Sequence, residues 1–395
     1  MPAHTDGGVG RRIAYCRSVV RPRMTQQQLA DAACVALGTI RKIERGERGV
    51  TDATLEAIAD ALGVDPTRLR SDRDTTQTRV HEALPALSAA IATYDLPDDG
   101  AIRPLHELRA AVAEATCWRL SAQYTRIVRE VPDLLAELAR ACHAAPAREQ
   151  LELAGLLVSA YRSADAVAYK FGARDLSARL IELMRWAAPK ADDPLLTAAV
   201  AYVRTEIFFA AQAHAAGLRA LEQAIDAAPA SGTARETAAR GALHMRAAVI
   251  AGRARDASAA ATHLDEARAL ADRVTEDVYD GTAFGPDSVR IHEVSVAVSL
   301  GNEYVGRALA VAREWKPPNT LPAERRSGFY IELARAQLWS GLARDAFESL
   351  KVSRRIAPQH TREHPWVRED TATLRRLKRA DAETLTNFAE WCAAT

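Results

Sequence analysis

The chain has 395 residues, of which 52 are basic and 51 acidic, so its formal net charge is only +1. This length is sufficient for more than one domain. No run of residues approaches the ~20 apolar positions of a membrane span, and the opening segment MPAHTDGGVG lacks the apolar core of a signal peptide. Five cysteines, an odd number without metal-ligand spacing, fit a reducing compartment. We therefore expect a cytoplasmic protein that does not associate with membranes.

The N-terminal part of the chain is far more basic than the whole. Between Val9 and Val50 there are nine basic residues and three acidic ones. A local excess of positive charge of this kind is typical of a nucleic-acid partner. We expect the anionic partner to bind at this end, with a merely solvated basic surface as the alternative.

Two short helices are predicted between Thr25 and Gly46. Thr25 and Gln28 have the spacing of a capping box, in which each side chain satisfies a backbone group at a helix start. Ile40 and Ile43 supply the apolar stripe of a second helix, which ends near Gly46. Two short amphipathic helices joined by a tight turn are the pattern of a DNA-reading motif.

The same stretch resembles the phage-repressor type of helix-turn-helix, the XRE family. The positions that carry the resemblance are Gln26, Leu29, Ala30, Val35, Ile40, Ile43, Glu44 and Gly46. The resemblance covers residues 9–70, from a first helix over residues 9–20 to a last helix capped by Asp65. It implies a five-helix, repressor-type domain that binds double-stranded DNA, and the high Ala and Arg content resembles that of actinobacterial regulators.

In such a domain the second helix of the motif lies in the major groove, which implies two sets of DNA contacts. Base contacts are predicted for Leu37, Thr39, Arg41 and Lys42. Phosphate contacts are predicted for Arg23, Gln26, Arg45 and Arg48, which sit beside helix termini. The resemblance further implies an ion pair between Arg17 and Glu44. Repressors of this type bind as dimers, so we expect a homodimer on a palindromic operator.

Several positions depart from the family pattern. The usual glycine of the turn is Cys34, which must take a left-handed conformation or adopt another turn. We expect its side chain to be a small buried group, with oxidant sensing as the alternative. The usual Ser or Thr cap of the second helix is Ala36, which removes an acceptor worth about 1 kcal/mol. Leu37 and Gly38 stand where phage repressors place base-contacting polar side chains, so direct readout shifts to later positions of the helix.

The remaining three quarters of the chain are predicted to be helical. Residues 71–78, SDRDTTQT, are polar and predicted to be a linker. Beyond them Ala, Leu, Glu and Arg dominate, prolines fall between helices, and no strand pattern is found. Residues 79–145 are predicted to be a helical connecting and dimerisation region.

A loose repeat runs through residues 146–395. Pro189, Pro229, Pro317 and Pro358 are separated by 40, 88 and 41 residues. The segment 329–358 resembles a tetratricopeptide repeat, with small residues where its two helices approach and proline at the end. The predicted fold is therefore all-α, with an α-solenoid of five tetratricopeptide-like helix pairs and a helical cap over residues 365–391. An irregular helical bundle is the alternative.

The concave side of such a stack commonly binds peptides or partner proteins. The residues that fall near that surface by spacing are Tyr202, Glu206, Phe209, Met245, Arg290 and Arg335. Ordinary packing or solvated surface is the alternative role of each. Peptide-pheromone sensors of this architecture use several asparagines, whereas this chain has three, none in the middle of a predicted first helix. This count weakens the peptide-pheromone interpretation, so a small hydrophobic signal and a partner protein stand beside a peptide as alternatives for the effector.

One motif points to catalysis. Residues 360–364, HTREH, have the spacing of an inverted zinc-protease motif. Pro358 and Pro365 flank the motif, so we expect no helix across it and no metal. Glycine-rich phosphate loops and nucleophile elbows are absent from the sequence. The sequence thus predicts a transcription regulator without a cofactor and not an enzyme. The alternative is an interaction scaffold whose N-terminal domain binds a protein.

Overall fold

The computed structural model describes residues 9–19, 24–64, 69, 72–230 and 232–377, together with 385, 388–389, 391–392 and 394. The chain divides into two compact units, residues 1–79 and 80–395. Among the helices described, none is both long and apolar enough to cross a lipid bilayer.

The first unit packs four described helices around one apolar core. They are α1 (Val9–Val19), α2 (Gln26–Ala32), α3 (Leu37–Glu44) and α4 (Asp52–Leu62). Ile13, Leu29, Ile40 and Ile58 are completely buried in this core, one from each helix. The predicted fifth helix lies outside the described residues, except for Leu69, which is helical and buried.

Local signals set where these helices begin and end. The predicted capping box is confirmed, because Thr25 Oγ1 accepts from the Gln28 amide and Gln28 Oε1 accepts from the Thr25 amide. Thr51 caps α4 from one side only, because its hydroxyl accepts from the Thr54 amide, and Gly63 ends the helix at φ +63°. Left-handed backbone at such a position suits glycine, which has no Cβ to clash with the preceding turn.

The second unit is almost entirely helical. Its helices are α5 (Asp72–Ala92, from residue 80 onward), α6 (Leu105–Leu120), α7 (Tyr124–Ala144), α8 (Ala147–Lys170), α9 (Arg174–Ala187), α10 (Pro194–Ala210), α11 (His214–Ala227), α12 (Ala234–Arg253), α13 (Ala257–Ala271), α14 (Pro286–Leu300), α15 (Val305–Glu314), α16 (Ala323–Trp339), α17 (Ala343–Ile356), α18 (Pro358–Glu363) and α19 (Pro365–Leu377). From α8 to α17 the chain forms five pairs of packed helices, one in each unit predicted from the sequence. The all-α fold class is therefore confirmed.

Alternate helices of the second unit form one continuous row. Each of α6, α8, α10, α12 and α14 packs against the next member, ending at α16. Helix α16 also packs against α6, so that the row closes into a ring. An open concave groove was expected from the repeat pattern, whereas the helices close into a ring around a central cavity.

The expectation that no strand would occur is wrong at one place. Strands β1 (Asp277–Tyr279) and β2 (Thr282–Phe284) pair antiparallel, with Val278 opposite Ala283. The turn residues Asp280 and Gly281 have φ +48° and +73°. Positive φ at both central positions is the geometry of a tight hairpin turn that favours Asp-Gly. The dipeptide signal was in the sequence, but each strand is too short to show an alternating pattern.

The backbone bears on two further expectations. The predicted linker is helical from residue 72, because α5 begins there and its polar sequence does not interrupt it. No helix spans the whole HTREH motif, as expected, because α18 runs from Pro358 to Glu363 and His364 has extended backbone. The part of the motif before His364 is nevertheless helical. Proline at the first position of a helix removes only an amide that has no helical partner, so Pro358 begins this helix instead of preventing it.

Candidate functional site

Helix α3 presents an apolar face to the core of the first unit and a basic face to solvent. Ile40 and Ile43 are buried, whereas Gly38, Arg41 and Lys42 are exposed. This division follows from the 3.6-residue helical period. As expected from Ala36, no side chain caps the N-terminus of α3.

A partly buried network of hydrogen bonds holds α3 against its neighbours. Arg17 Nε and Nη2 donate to the two carboxylate oxygens of Glu44 at 2.8 and 3.0 Å, which confirms the predicted ion pair. Arg17 Nη1 also donates to the Met24 carbonyl at 3.0 Å, and Gln26 Nε2 donates to Glu44 Oε2 at 2.6 Å. The hydrogen bond and charge of Glu44 raise the pKa of Arg17 against the opposing effect of burial. Helices α1, α2 and α3 are thus joined through one carboxylate.

Two backbone features complete the support of α3. A Cβ on Gly10 would lie 1.9 Å from the Ile43 carbonyl oxygen, so α1 and α3 cross at a distance that only glycine allows. Cys34 adopts φ +53°, the left-handed conformation that sequence reasoning gave as one of its two options. The expectation that its side chain is buried is wrong, since Cys34 is exposed.

The ring of helices in the second unit lines a partly open cavity of about 240 Å³. Six basic side chains line it, together with four carboxyl groups: Arg119, Arg162, Lys170, Arg246, Arg253 and Arg325, with Asp165, Glu206, Glu324 and Glu332. Tyr169, Tyr202, Phe209 and Phe329 contribute aromatic wall. Such a cavity suits a small polar ligand better than an extended chain.

Ion pairs and hydrogen bonds cross the cavity between distant helices. Lys170 Nζ lies 2.9 Å from Glu324 Oε1, which joins α8 to α16. Arg325 donates to the Tyr202 hydroxyl at 2.7 Å, and Arg246 donates to Thr205 Oγ1 at 2.6 Å. Burial opposes ionisation of Glu324, but Lys170 and other cations hold its pKa at about 2. The ring is therefore held together partly by polar contacts across its interior.

Other acidic groups of the cavity are held in less ionised states. Burial raises the pKa of Glu332 to about 7, despite a hydrogen bond from Ser295. Burial and the nearby charge of Glu206 raise the pKa of Asp165 well above its usual range. Asp165 also accepts a hydrogen bond from Ser177 at 2.6 Å. These shifts leave the cavity with more positive charge than its residue composition suggests.

The six predicted groove residues divide evenly. Tyr202, Glu206 and Phe209 line the cavity. Met245 does not, since it is fully buried in the core and the adjacent Arg246 faces the cavity instead. Arg290 is exposed, and Arg335 pairs with Asp370 at 2.9 Å and with Glu369. Residue spacing therefore predicted the correct helices, but it did not predict how each helix is rotated about its own axis.

Sequence reasoning missed most of the cavity. The missed side chains come from three helices that lie about two hundred residues apart in sequence at most: Arg119, Arg162, Lys170, Glu324 and Arg325. No local motif connects them, and only the closure of the ring brings them together. Within the described residues, no group of three or more His, Cys, Asp or Glu side chains could hold a metal ion.

Comparison with known proteins bears on the first unit. Residues 23–69 match the model of the helix-turn-helix family. The segment contains α2, the turn at Cys34 and α3. Residues 23–69 form a helix-turn-helix domain. None of the curated proteins matches the chain.

Among solved structures the chain is similar to PlcR of Bacillus thuringiensis in complex with the peptide PapR7 and DNA. The likeness covers 68% of this chain and 95% of that chain, at 13% sequence identity and a TM-score of 0.28.

Within the helix-turn-helix domain, the predicted DNA contacts have different surroundings. Arg41, Lys42, Arg45 and Arg48 are exposed. Leu37 and Thr39 are half-buried, and Leu37 packs partly against the core. Arg45 pairs with Glu47 at 2.8 Å, and Arg48 donates to Thr39 Oγ1 at 3.4 Å. Gln26 donates to Glu44, and Arg23 lies outside the described residues.

Proposed function

We propose that this protein is a sequence-specific DNA-binding transcription regulator. The observation that carries the proposal is the helix-turn-helix domain, whose α3 exposes Arg41 and Lys42 while its opposite face is anchored by Ile40 and Ile43. A helix held in this way can enter the major groove with its basic face toward the base edges.

The proposed contacts fall into two classes. Arg41 and Lys42 read bases, together with Thr39 and the exposed part of Leu37. Arg45 and Arg48 contact phosphates, as do Arg23 and Gln26. In the unbound protein the Gln26 side-chain amide donates to Glu44, which also orients this end of α2. Phosphate contacts position the domain, and base contacts supply sequence preference.

The second unit is the effector-binding part of this regulator in our proposal. Its cavity concentrates charge inside the ring, where a ligand would contact several helices at once. We further propose that the protein acts as a cytoplasmic homodimer on two half-sites about 34 Å apart, and that effector binding changes the affinity for DNA. Light scattering of the purified chain tests the dimer directly.

The DNA-binding proposal is tested by selection from a random double-stranded library with the full-length protein. We expect enrichment of one palindromic motif. Affinity for the selected duplex, measured by fluorescence anisotropy, should fall about a hundredfold between roughly 50 and 200 mM salt if about four phosphates are neutralised. A library without an enriched motif, or an affinity that is independent of salt, would contradict the proposal.

A further inference from the structure

Two arginines of the cavity are held by the β-hairpin and by no carboxylate. Arg119 Nη2 donates to the Gly281 carbonyl at 2.9 Å, and Arg162 Nη1 donates to the Asp280 carbonyl at 2.7 Å. Arg162 Nη2 donates to Thr282 Oγ1 at 2.6 Å. In the described part of the chain neither guanidinium forms an ion pair. The hairpin turn therefore orients two like charges side by side at the cavity wall.

This arrangement leaves positive charge uncompensated inside the protein. Arg119 is only 7% exposed, and among the described residues its Nε has no hydrogen-bond partner. Burial, together with the charge of Arg119, lowers the pKa of Arg162 to about 9. Burial also lowers the pKa of Arg119. A desolvated guanidinium without a counter-charge is costly, and it is stabilised when an anion occupies the site.

The carboxyl groups of the cavity do not supply that anion. Glu324 is paired with Lys170, and Glu332 accepts from Ser295. Asp165 accepts from Ser177, and burial together with the charge of Glu206 raises its pKa well above the usual range. Glu206 pairs with Arg246 through Oε1 at 3.4 Å, but its buried Oε2 has no hydrogen-bond partner in the described residues. The cavity thus offers one unpaired donor, Arg119 Nε, and one unpaired acceptor atom, Glu206 Oε2.

The size of the cavity restricts what can occupy it. A volume of about 240 Å³ lies below the range of drug-sized ligand pockets, roughly 300–1,000 Å³. The ligand is therefore a compact molecule.

We propose that the cavity binds a small organic anion whose carboxylate or phosphate group lies against Arg119 and Arg162 and whose hydrogen-bond donor faces Glu206. Planar guanidinium groups in pairs match the oxygen geometry of both anions. This inference rests on the proposed function in one respect only, namely that the second unit is the effector-binding part. It names the chemical class of the effector.

The test uses the dialysed full-length protein and two probes, inorganic phosphate and lactate, whose hydroxyl group supplies a donor. Thermal unfolding is followed against probe concentration, with sodium chloride at matched ionic strength as the reference. We expect a saturable rise of about 2 °C or more for at least one probe at tenfold its dissociation constant. Phosphate alone, lactate alone, or both identify the anion type. Absence of any rise above the chloride reference for both probes would overturn the proposal.

Variants locate the site. Arg119→Met and Arg162→Met should each abolish the rise, whereas Arg290→Met, which removes an exposed arginine of the same unit, should retain it. Two separate cavity variants guard against misfolding of one of them, and far-ultraviolet circular dichroism checks each fold. A rise that persists in both cavity variants would show that the anion binds elsewhere and would overturn the assignment.

A separate control distinguishes this proposal from the DNA-binding proposal. Arg41→Ala/Lys42→Ala removes exposed charge from the helix-turn-helix domain, where phosphate could also bind. The thermal rise should survive in this variant. Survival of the rise together with failure of DNA selection would leave the anion site intact and overturn only the regulator. Loss of the rise in this variant would place the anion on the DNA-binding surface and overturn the cavity site.

Discussion

The two units carry function in opposite ways. In the helix-turn-helix domain, the residues proposed to contact DNA lie within 26 positions of one another, Arg23 to Arg48, and one helix presents the central ones. In the second unit, the side chains that line the cavity are spread along the sequence from Arg119 to His364. Among the lining residues, no short sequence motif marks the site. A contiguous site can be recognised from local sequence, whereas a ring-enclosed site exists only after long-range packing.

The largest effect is expected where α1 crosses α3 in the helix-turn-helix domain. Gly10→Ala should destabilise the helix-turn-helix domain by about 3 kcal/mol, because the new methyl group overlaps the Ile43 carbonyl and must separate α1 from α3. Hydrogen exchange of α3 amides in the full-length protein measures the change. Gly38→Ala is the matched control, since its Cβ meets nothing within 4 Å and should be neutral or stabilising. Equal exchange in both variants would contradict the close crossing.

The next prediction concerns the carboxylate that joins three helices. Glu44→Gln should cost about 2 kcal/mol, because Arg17 is then left partly buried without its counter-charge. The same exchange measurement applies. Glu47→Gln removes the partner of Arg45 at a largely exposed pair and should have almost no effect. Equal destabilisation by Glu44→Gln and Glu47→Gln would contradict the structural role of Glu44.

The enclosed site should respond to pH in a way that the exposed site does not. Glu332 has its pKa raised to about 7, so it is neutral below that value and negative above it. A new negative charge in the cavity opposes the anion, and at about 10 Å and an effective dielectric constant of about 20 it is worth roughly 1.5 kcal/mol. Lactate binding should therefore weaken about tenfold between pH 6 and pH 8.

The histidines of the cavity do not change the predicted direction of this pH dependence. Burial lowers the pKa of His292 and of His360 to about 3, and that of His364 lies well below its usual value, so all three stay neutral over the range. Glu332→Gln should remove the pH dependence of lactate binding measured by calorimetry. A variant that keeps the full dependence would show that another group titrates.

The smallest expected effect concerns the turn before α3. Cys34→Gly should stabilise the helix-turn-helix domain by about 1 kcal/mol, because glycine adopts φ +53° without a Cβ clash. Gly46→Ala provides the mirror test at φ +75°, where the added methyl has open space but strained backbone, and it should destabilise by a similar amount. Opposite signs in hydrogen exchange support left-handed turns at both positions, and equal signs contradict them.

The comparison also explains what the sequence could predict. The capping box at Thr25 and the pairing of Arg17 with Glu44 follow from short-range spacing and from a resemblance carried by eight positions. The five helix pairs follow from the recurrence of proline and small residues. Gly10 gave no signal, because its closeness to Ile43 depends on how two helices cross.

The second unit shows where such prediction stops. Periodicity placed Tyr202, Glu206 and Phe209 on the inner side, but it placed Met245 there as well, one residue from the correct Arg246. Helix rotation depends on packing that a short window cannot define. The Asp280-Gly281 turn was a readable signal, yet its consequence for Arg119 and Arg162 depends on contacts more than a hundred residues away.

The central claim is that exposed basic residues of α3 read DNA. Its most direct test is the affinity of the full-length Arg41→Ala/Lys42→Ala variant for the selected duplex and for a scrambled one. The control is Arg307→Ala/Arg313→Ala, which removes the same charge from exposed positions of the second unit. We predict that the first variant loses about a hundredfold in affinity for the selected duplex and its preference over the scrambled one, while the control keeps both. Retention of sequence preference without Arg41 and Lys42 would contradict the claim.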